Sequence, residues 1–320
     1  MATARRPYTQ IIDGVARSPW VDPEVFRRSA SFRASRGDLV QSSYPKSGTH
    51  WVQYITQLIL RNGDPIDTYE EFTSNTRIIE YMADREWTPT LPVRTLLTHQ
   101  SLHRETMNDD AKYVYVARNP WDVCVSIFYN MTNISIYRFQ DGTFEDIVDL
   151  FLQGQLGYGS YFDHVASGYA LRNELNVFFL TYEELKRDTP GTILRLAHFV
   201  EESYGRALEE QEGLLQKIIE RSQPEHMRKV IVFDLKRNEN PGWRELFGRK
   251  KVSCKHGYGG DSTKYGLVRK AKVGGWKEHF TPDQLARFEK KIGELGDKAS
   301  FMQLWSDIRE EARELSKLSA

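Results

Sequence analysis

The sequence predicts an α/β fold: a single domain on a central, mostly parallel sheet with helices on both faces and a P-loop-like loop for an anion. Three observations carry this. Four short runs, Asp38–Tyr44, Arg94–His99, Lys112–Arg118 and Asn176–Tyr182, are nearly continuous in apolar or β-branched residues, as strands covered on both faces are. Amphipathic helical runs lie between and after them, and strands alternating with helices make a parallel sheet wrapped on both sides. No repeat, low-complexity tract or linker divides the 320 residues, so one domain over 1–320 is expected. Its core would run from about 38 to 285, with an N-terminal segment (1–37) and C-terminal helices (282–318) packed on it.

The first strand run ends in "YPKSGTHW", Tyr44 to Trp51, and "THWVQYITQLILRNG" continues as a helix. That helix places Trp51, Ile55, Leu58 and Ile59 on one face and stops at Gly63. After the third strand run, "NPWDVCVSIFYN" opens with Asn119 as N-cap and Pro120 at the first helical position. Further helical runs follow at 190–202, 208–222, 282–295 and 301–317. Open sheets of this kind bind ligands beyond the carboxyl ends of their strands, and the "YPKSGTHW" loop lies at one such end.

The bulk numbers remove several function classes. With 44 basic and 44 acidic residues the formal net charge is zero, which argues against a nucleic-acid partner, since that needs a basic face. No run approaches a membrane span, and the N-terminal "MATARRPYTQIIDG" has no apolar stretch of signal-peptide length. The two cysteines, Cys124 and Cys254, cannot make a disulfide framework or a zinc site, so a cytoplasmic, metal-free protein is expected. The sequons at Asn130 and Asn133 are then chance occurrences.

Strand, "PKSGT", helix is the geometry of a phosphate site. Gly48 allows close backbone approach, the helix start offers unpaired N–H groups, Ser47 and Thr49 add hydroxyls, and Lys46 adds a charge. The order is not that of a Walker loop, because Lys46 precedes Gly48 and no upstream glycine exists. Taken alone it reads equally as a helix-capping turn with a solvated lysine. Two further segments suit a second phosphate: Arg118 at a strand end with Ser126 two turns into the next helix, and Arg269–Lys270 ahead of a glycine pair.

These three segments, in this order and at these separations, resemble the cytosolic sulfotransferases over about Leu39 to Thr281. The resemblance implies 3′-phosphoadenosine 5′-phosphosulfate (PAPS) as sulfuryl donor, leaving 3′-phosphoadenosine 5′-phosphate (PAP), with no metal. It implies that Lys46, Ser47, Gly48, Thr49 and His50 contact the 5′-phosphosulfate and that Trp51 stacks near the adenine. Arg118, Ser126, Arg269, Lys270 and Ala271 fall on the 3′-phosphate segments, with Tyr182 and Ser222 near the adenine base. "LTHQS" matches the segment of the family's catalytic histidine, which makes His99 the expected base, with His103 one turn later as the residue to test beside it. Catalysis is thus expected to rest on His99, Lys46 and Ser126. The pattern is broken at Leu97 (a lysine in the family), Pro224 (an aromatic), Ala271 (a glycine) and Gly275 (an aspartate).

Sulfuryl transfer resembles phosphoryl transfer, so a lysine at the leaving phosphate and a histidine at the acceptor hydroxyl suit it. By the resemblance the acceptor is a small molecule in a pocket that takes in Trp20, Phe26, Tyr81 and Tyr158, residues that read equally as core aromatics. Such a pocket suits phenols and phenolic amines, although no carboxylate stands out for an amine. The family's dimer element is imperfect here: "KEHFTPDQLA" keeps Lys277 and Thr281 but has Pro282 and Ala286, leaving monomer and dimer both open. Two alternatives are a nucleotide-binding protein weak in catalysis and a P-loop kinase, the latter disfavoured by the missing Walker order.

Overall fold

A computed structural model describes residues 5–82, 87–237 and 241–319. Five strands form the central sheet: β1 (Leu39–Ser43), β2 (Thr76–Ile78), β3 (Thr95–Thr98), β4 (Lys112–Ala117) and β5 (Val177–Thr181). They lie in the order β2-β3-β1-β4-β5, and every neighbouring pair is parallel. All five residues of β1 are buried. Along β4, Tyr113, Tyr115 and Ala117 join one apolar cluster while Val114 and Val116 join the other. That alternation puts one cluster on each face of the sheet.

The four expected strands are present, and the fifth was not foreseen. β2 is a three-residue edge strand, "TRI", joined to β3 through a contact between the Thr76 and Thr95 hydroxyls at 2.9 Å. Arg77 interrupts any apolar run there, so no strand pattern shows in the sequence. A hairpin of Gln10–Ile12 with Val15–Arg17 turns at Asp13–Gly14, both at positive φ. The Asp-Gly pair is the sequence signal for it.

Helix Thr49–Leu60 packs between the sheet and helix Thr189–Val200, and Gly63 at φ 76° ends its last turn by donating to the Leu58 carbonyl at 2.8 Å. Helix Pro120–Asn133 starts as expected: the Asn119 side chain accepts the Asp122 N–H at 2.9 Å. Two expected helices differ. The 208–222 run is split into Glu202–Glu210 and Leu214–Arg221, because Gly213 takes φ 77° between them. The 301–317 run begins inside a 3₁₀ segment, Gly296–Trp305, before the α-helix Ser306–Ser316. Of its four buried residues, Ala299, Phe301, Met302 and Trp305, all but Phe301 fall every three positions, the period of a 3₁₀ helix. Thr281 caps helix Pro282–Leu295 in a capping box with Gln284, and Lys277 pairs with Glu311, so both retained positions of the imperfect dimer element are engaged within the chain. Among the described residues, no helix is long and apolar enough to cross a membrane.

Candidate active site

The carboxyl ends of β1, β3, β4 and β5 point to one cavity of about 670 Å³. After β1 the chain turns through Lys46 at φ 71° and Gly48 at φ 105° into helix Thr49–Leu60. No side chain caps that helix, which leaves its first-turn N–H groups toward the cavity end of the loop. The loop is braced from below: Ser43 and Thr49 hydroxyls meet at 2.8 Å, and Gln41 donates to the Thr49 carbonyl at 2.8 Å. The Tyr182 ring lies so close that a Cβ on Gly48 would come within 2.7 Å of it. Gly48→Ala therefore meets both a clash and a left-handed backbone. We expect it to destabilise the fold by about 2 kcal/mol and to weaken PAP binding at least about tenfold, read by thermal melting and calorimetry.

Cations gather around this loop: Lys46, Arg118 and Arg269 line the cavity, with the Asp122 carboxylate 3.5 Å from the Arg118 guanidinium. Lys46 is held down to about 8 by burial and then by the charges of Arg269 and Arg118. Arg118, at the end of β4, donates to the Lys272 carbonyl at 2.9 Å and lies 4.2 Å over the Tyr182 ring. Its Nε and the Ser47 hydroxyl are buried without a hydrogen-bond partner among the described residues. Buried donors without partners are uncommon, and a phosphate oxygen is the acceptor that suits both. Arg269 stacks 4.3 Å over Tyr129, while Lys270 pairs with Glu278 at 2.8 Å. Trp51 and Tyr182 meet edge to face at 5.2 Å beside these cations.

Asp122 was not singled out in the sequence, yet it ties the Arg118–Ser126 segment to the segment that follows Arg269. Its buried carboxylate accepts the Gly274 and Trp276 N–H groups at 2.9 and 3.1 Å. Gly274 needs its φ of 79°; a Cβ on Gly275 would sit 3.7 Å from Asp122, an ordinary contact, so the aspartate common at that place is tolerable. Ala271 sits at φ 51°, a conformation that explains a family glycine there and that costs an alanine about 1 kcal/mol.

Lys46, Gly48, Thr49, His50, Trp51, His99, Arg118, Ser126, Tyr182, Arg269, Lys270 and Ala271 all line the cavity. Ser47 is buried beneath the loop. Ser222 is also buried, with its hydroxyl donating to the Ile219 carbonyl at 3.1 Å, and it does not line the cavity; Pro224 and Met227 do. His103 is exposed and outside it.

His99, just beyond β3, has a defined tautomer. Its Nδ1 lies 2.8 Å from the Ser43 carbonyl oxygen, which only accepts, so Nδ1 carries the proton and Nε2 keeps its lone pair. Beyond His99 the cavity is aromatic. Trp20, Tyr81 and Tyr158 line it, joined by Tyr137 and Phe233, which the sequence did not single out. Trp20 donates to the Tyr137 hydroxyl at 2.7 Å, and Tyr137 and Tyr158 hydroxyls meet at 3.1 Å. Phe26 stands apart from the cavity, on helix Pro23–Ala30 under the Arg17 guanidinium at 4.7 Å. No group of three or more metal-binding side chains occurs among the described residues.

Fold and cavity together define a nucleotide-dependent transferase, and the comparisons say which kind. The sulfotransferase domain family matches residues 36–300, so the chain belongs to the sulfotransferase family. Sulfotransferase 1C2 of Rattus norvegicus is 31% identical over 274 residues, 81% of this chain and 83% of that protein. The amine sulfotransferase of Oryctolagus cuniculus is 28% identical over 300 residues, 91% of each chain. In fold the chain is similar to mouse sulfotransferase SULT7A1 complexed with PAP, with TM-score 0.61, 23% identity and coverage of 98% of this chain and 99% of that one. It is a sulfotransferase of the PAPS-dependent class.

Proposed function

We propose that this enzyme moves the sulfuryl group of PAPS to the hydroxyl of a small phenolic acceptor, with His99 as base and Lys46 at the leaving phosphate. One observation carries the reading. A single cavity has Lys46, Arg118 and Arg269 at one end, Trp20, Tyr81 and Tyr158 at the other, and His99 where they meet. The His99 ring bonds to Ser43 beside the cation loop and approaches the Tyr158 ring edge at 6.4 Å.

The donor fits the residues present: the Arg118 Nε and the Ser47 hydroxyl are buried donors without partners among the described residues, beside the loop. When bound, PAPS supplies an electrophilic sulfuryl group on a phosphate that leaves readily. The chain does the rest. Ser47, Arg118 and Arg269 would hold the two phosphate ends, and Trp51 and Tyr182 would contact the base. Ser126 lies within the same cavity wall as Arg118 and adds a hydroxyl donor there. For transfer to a hydroxyl, Nε2 of His99 would take the acceptor's proton. Lys46 meets the negative charge that grows on the departing oxygen, where a fixed cation lowers the barrier most. A phenol suits the aromatic end of the cavity and gives up its proton to an imidazole more easily than an aliphatic alcohol does.

The test is incubation with PAPS and a panel of simple phenols, phenolic amines and aliphatic alcohols, without added magnesium. Mass spectrometry is expected to find one added SO3 on phenols at least about tenfold faster than on aliphatic alcohols. Preference for the alcohols, or transfer to nitrogen rather than oxygen, overturns the acceptor assignment.

A further inference from the structure

Glu80 lies in the short helix Ile79–Met82, which follows edge strand β2. Its side chain is only 3% exposed. One carboxylate oxygen accepts the backbone N–H of His99, and the other, Oε2, is buried with no hydrogen-bond partner among the described residues. Burying a carboxylate with so few partners is costly, and a neutral residue would spare the fold that cost. The retained group sits against the backbone of His99, whose ring Nδ1 is already committed to the Ser43 carbonyl.

We infer that Glu80 is a positioning residue for His99: its carboxylate pins the backbone at the end of β3, and its charge steadies the imidazolium formed during transfer. The inference rests on the reading of His99 as base. Three contacts fix that residue. Glu80 takes its N–H, His164 Nε2 donates to its carbonyl at 3.2 Å, and its own Nδ1–H goes to Ser43 at 2.8 Å. The ring is thereby left with Nε2 alone to work.

The other titratable groups around His99 do not supply a negative charge. Lys46 and His50 face it from the phosphate loop and the helix that follows, His164 from helix Tyr161–Ala170, and Tyr158 from the loop before that helix. His50 and His164 are each held near about 3, first by burial, and so remain neutral. Tyr158 is raised above its ordinary value by burial and stays protonated. Within this set Glu80 is the one carboxylate, and an opposite charge nearby favours the charged form of an imidazole.

Two variants separate the charge from the anchor. Glu80→Gln keeps an oxygen that can accept the His99 N–H but loses the charge; Glu80→Ala loses both. The histidine Cε1–H signals are followed by NMR titration, with His99 assigned by its absence from His99→Gln. In Glu80→Gln the acid limb of kcat/KM is expected to move toward lower pH. Its kcat should drop about tenfold while PAP affinity and acceptor KM change less than about threefold. Glu80→Ala should lose about a hundredfold, because the backbone anchor goes too. If Glu80→Ala does not fold, the near-isosteric Glu80→Gln carries the test alone. A fully active His99→Gln enzyme overturns the reading of the base beneath this inference. An inactive His99→Gln beside a Glu80→Gln enzyme with unchanged titration and turnover overturns the inference about Glu80 only.

Discussion

Replacing His99 by alanine is expected to cut kcat about a thousandfold while PAP affinity stays within about threefold of wild type. The expectation follows from elimination among the histidines as much as from position. His50 lines the same cavity, but burial, then Lys46 and His99, hold its ring down to about 3, too weak a base near neutral pH. His164 uses Nε2 on the His99 carbonyl, and its Nδ1 lies 2.6 Å from the Tyr115 hydroxyl, so neither nitrogen is available. His103 is exposed and outside the cavity. Among the described histidines lining the cavity, His50, His99 and His256, it is His99 whose Nδ1 is committed to a carbonyl, that of Ser43 beside the cation loop. Steady-state kinetics with one phenol and calorimetry with PAP make the check. His103→Ala serves as control and should retain turnover within about twofold. Normal turnover in His99→Ala, or a large loss in His103→Ala alone, would show the base to lie elsewhere.

Lys46→Met should lose about a hundredfold to a thousandfold in kcat, the usual effect of removing a group that stabilises transition-state charge. It should also melt at a higher temperature than wild type when PAP is absent. The sign follows from linkage. The folded protein holds Lys46 at about 8, below its ordinary 10.5, because burial and then Arg269 and Arg118 penalise the ammonium. The folded state therefore binds this proton less tightly than the unfolded chain does. The resulting penalty is full below about 8 and fades as pH rises from there through 10.5. Each pKa unit corresponds to about 1.4 kcal/mol, so on the order of 3 kcal/mol is an upper bound, reduced by solvent at the partly exposed head. A bound phosphate reverses the balance and raises the lysine again. PAP affinity of wild type should then fall as pH climbs through about 8, by up to about tenfold per unit, and this dependence should flatten in Lys46→Met. Melting curves without PAP and calorimetry from about pH 6 to about pH 10 read both effects. A lower melting temperature in the variant, or an unchanged pH dependence of binding, contradicts the account.

Much of the site was legible because its parts are local. A strand running into Lys46, Ser47, Gly48 and a helix declares itself over ten residues, and so do the Asn119 cap and Pro120. His99 and Arg118 could be placed because residues just past parallel strands share one sheet edge. The aromatic wall was only half visible. Trp20 and Tyr158 belong to it, Phe26 does not, and Tyr137 and Phe233 complete it from segments with no marking pattern. An apolar ring carries no sign in the sequence of which cavity it will face. Ser222 illustrates the same limit: helix packing turns its hydroxyl back to the Ile219 carbonyl, which nothing in its segment foretells.

By itself, then, the chain's order of residues determined the strand–loop–helix turns and the cations they carry, since φ preferences, caps and apolar periods act between near neighbours. Only the tertiary structure decided what meets what: Glu80 against His99, Asp122 against Gly274, Trp20 against Tyr137. Those contacts depend on the sheet order β2-β3-β1-β4-β5 and on how helices pack over it, and both emerge from burying the whole core at once.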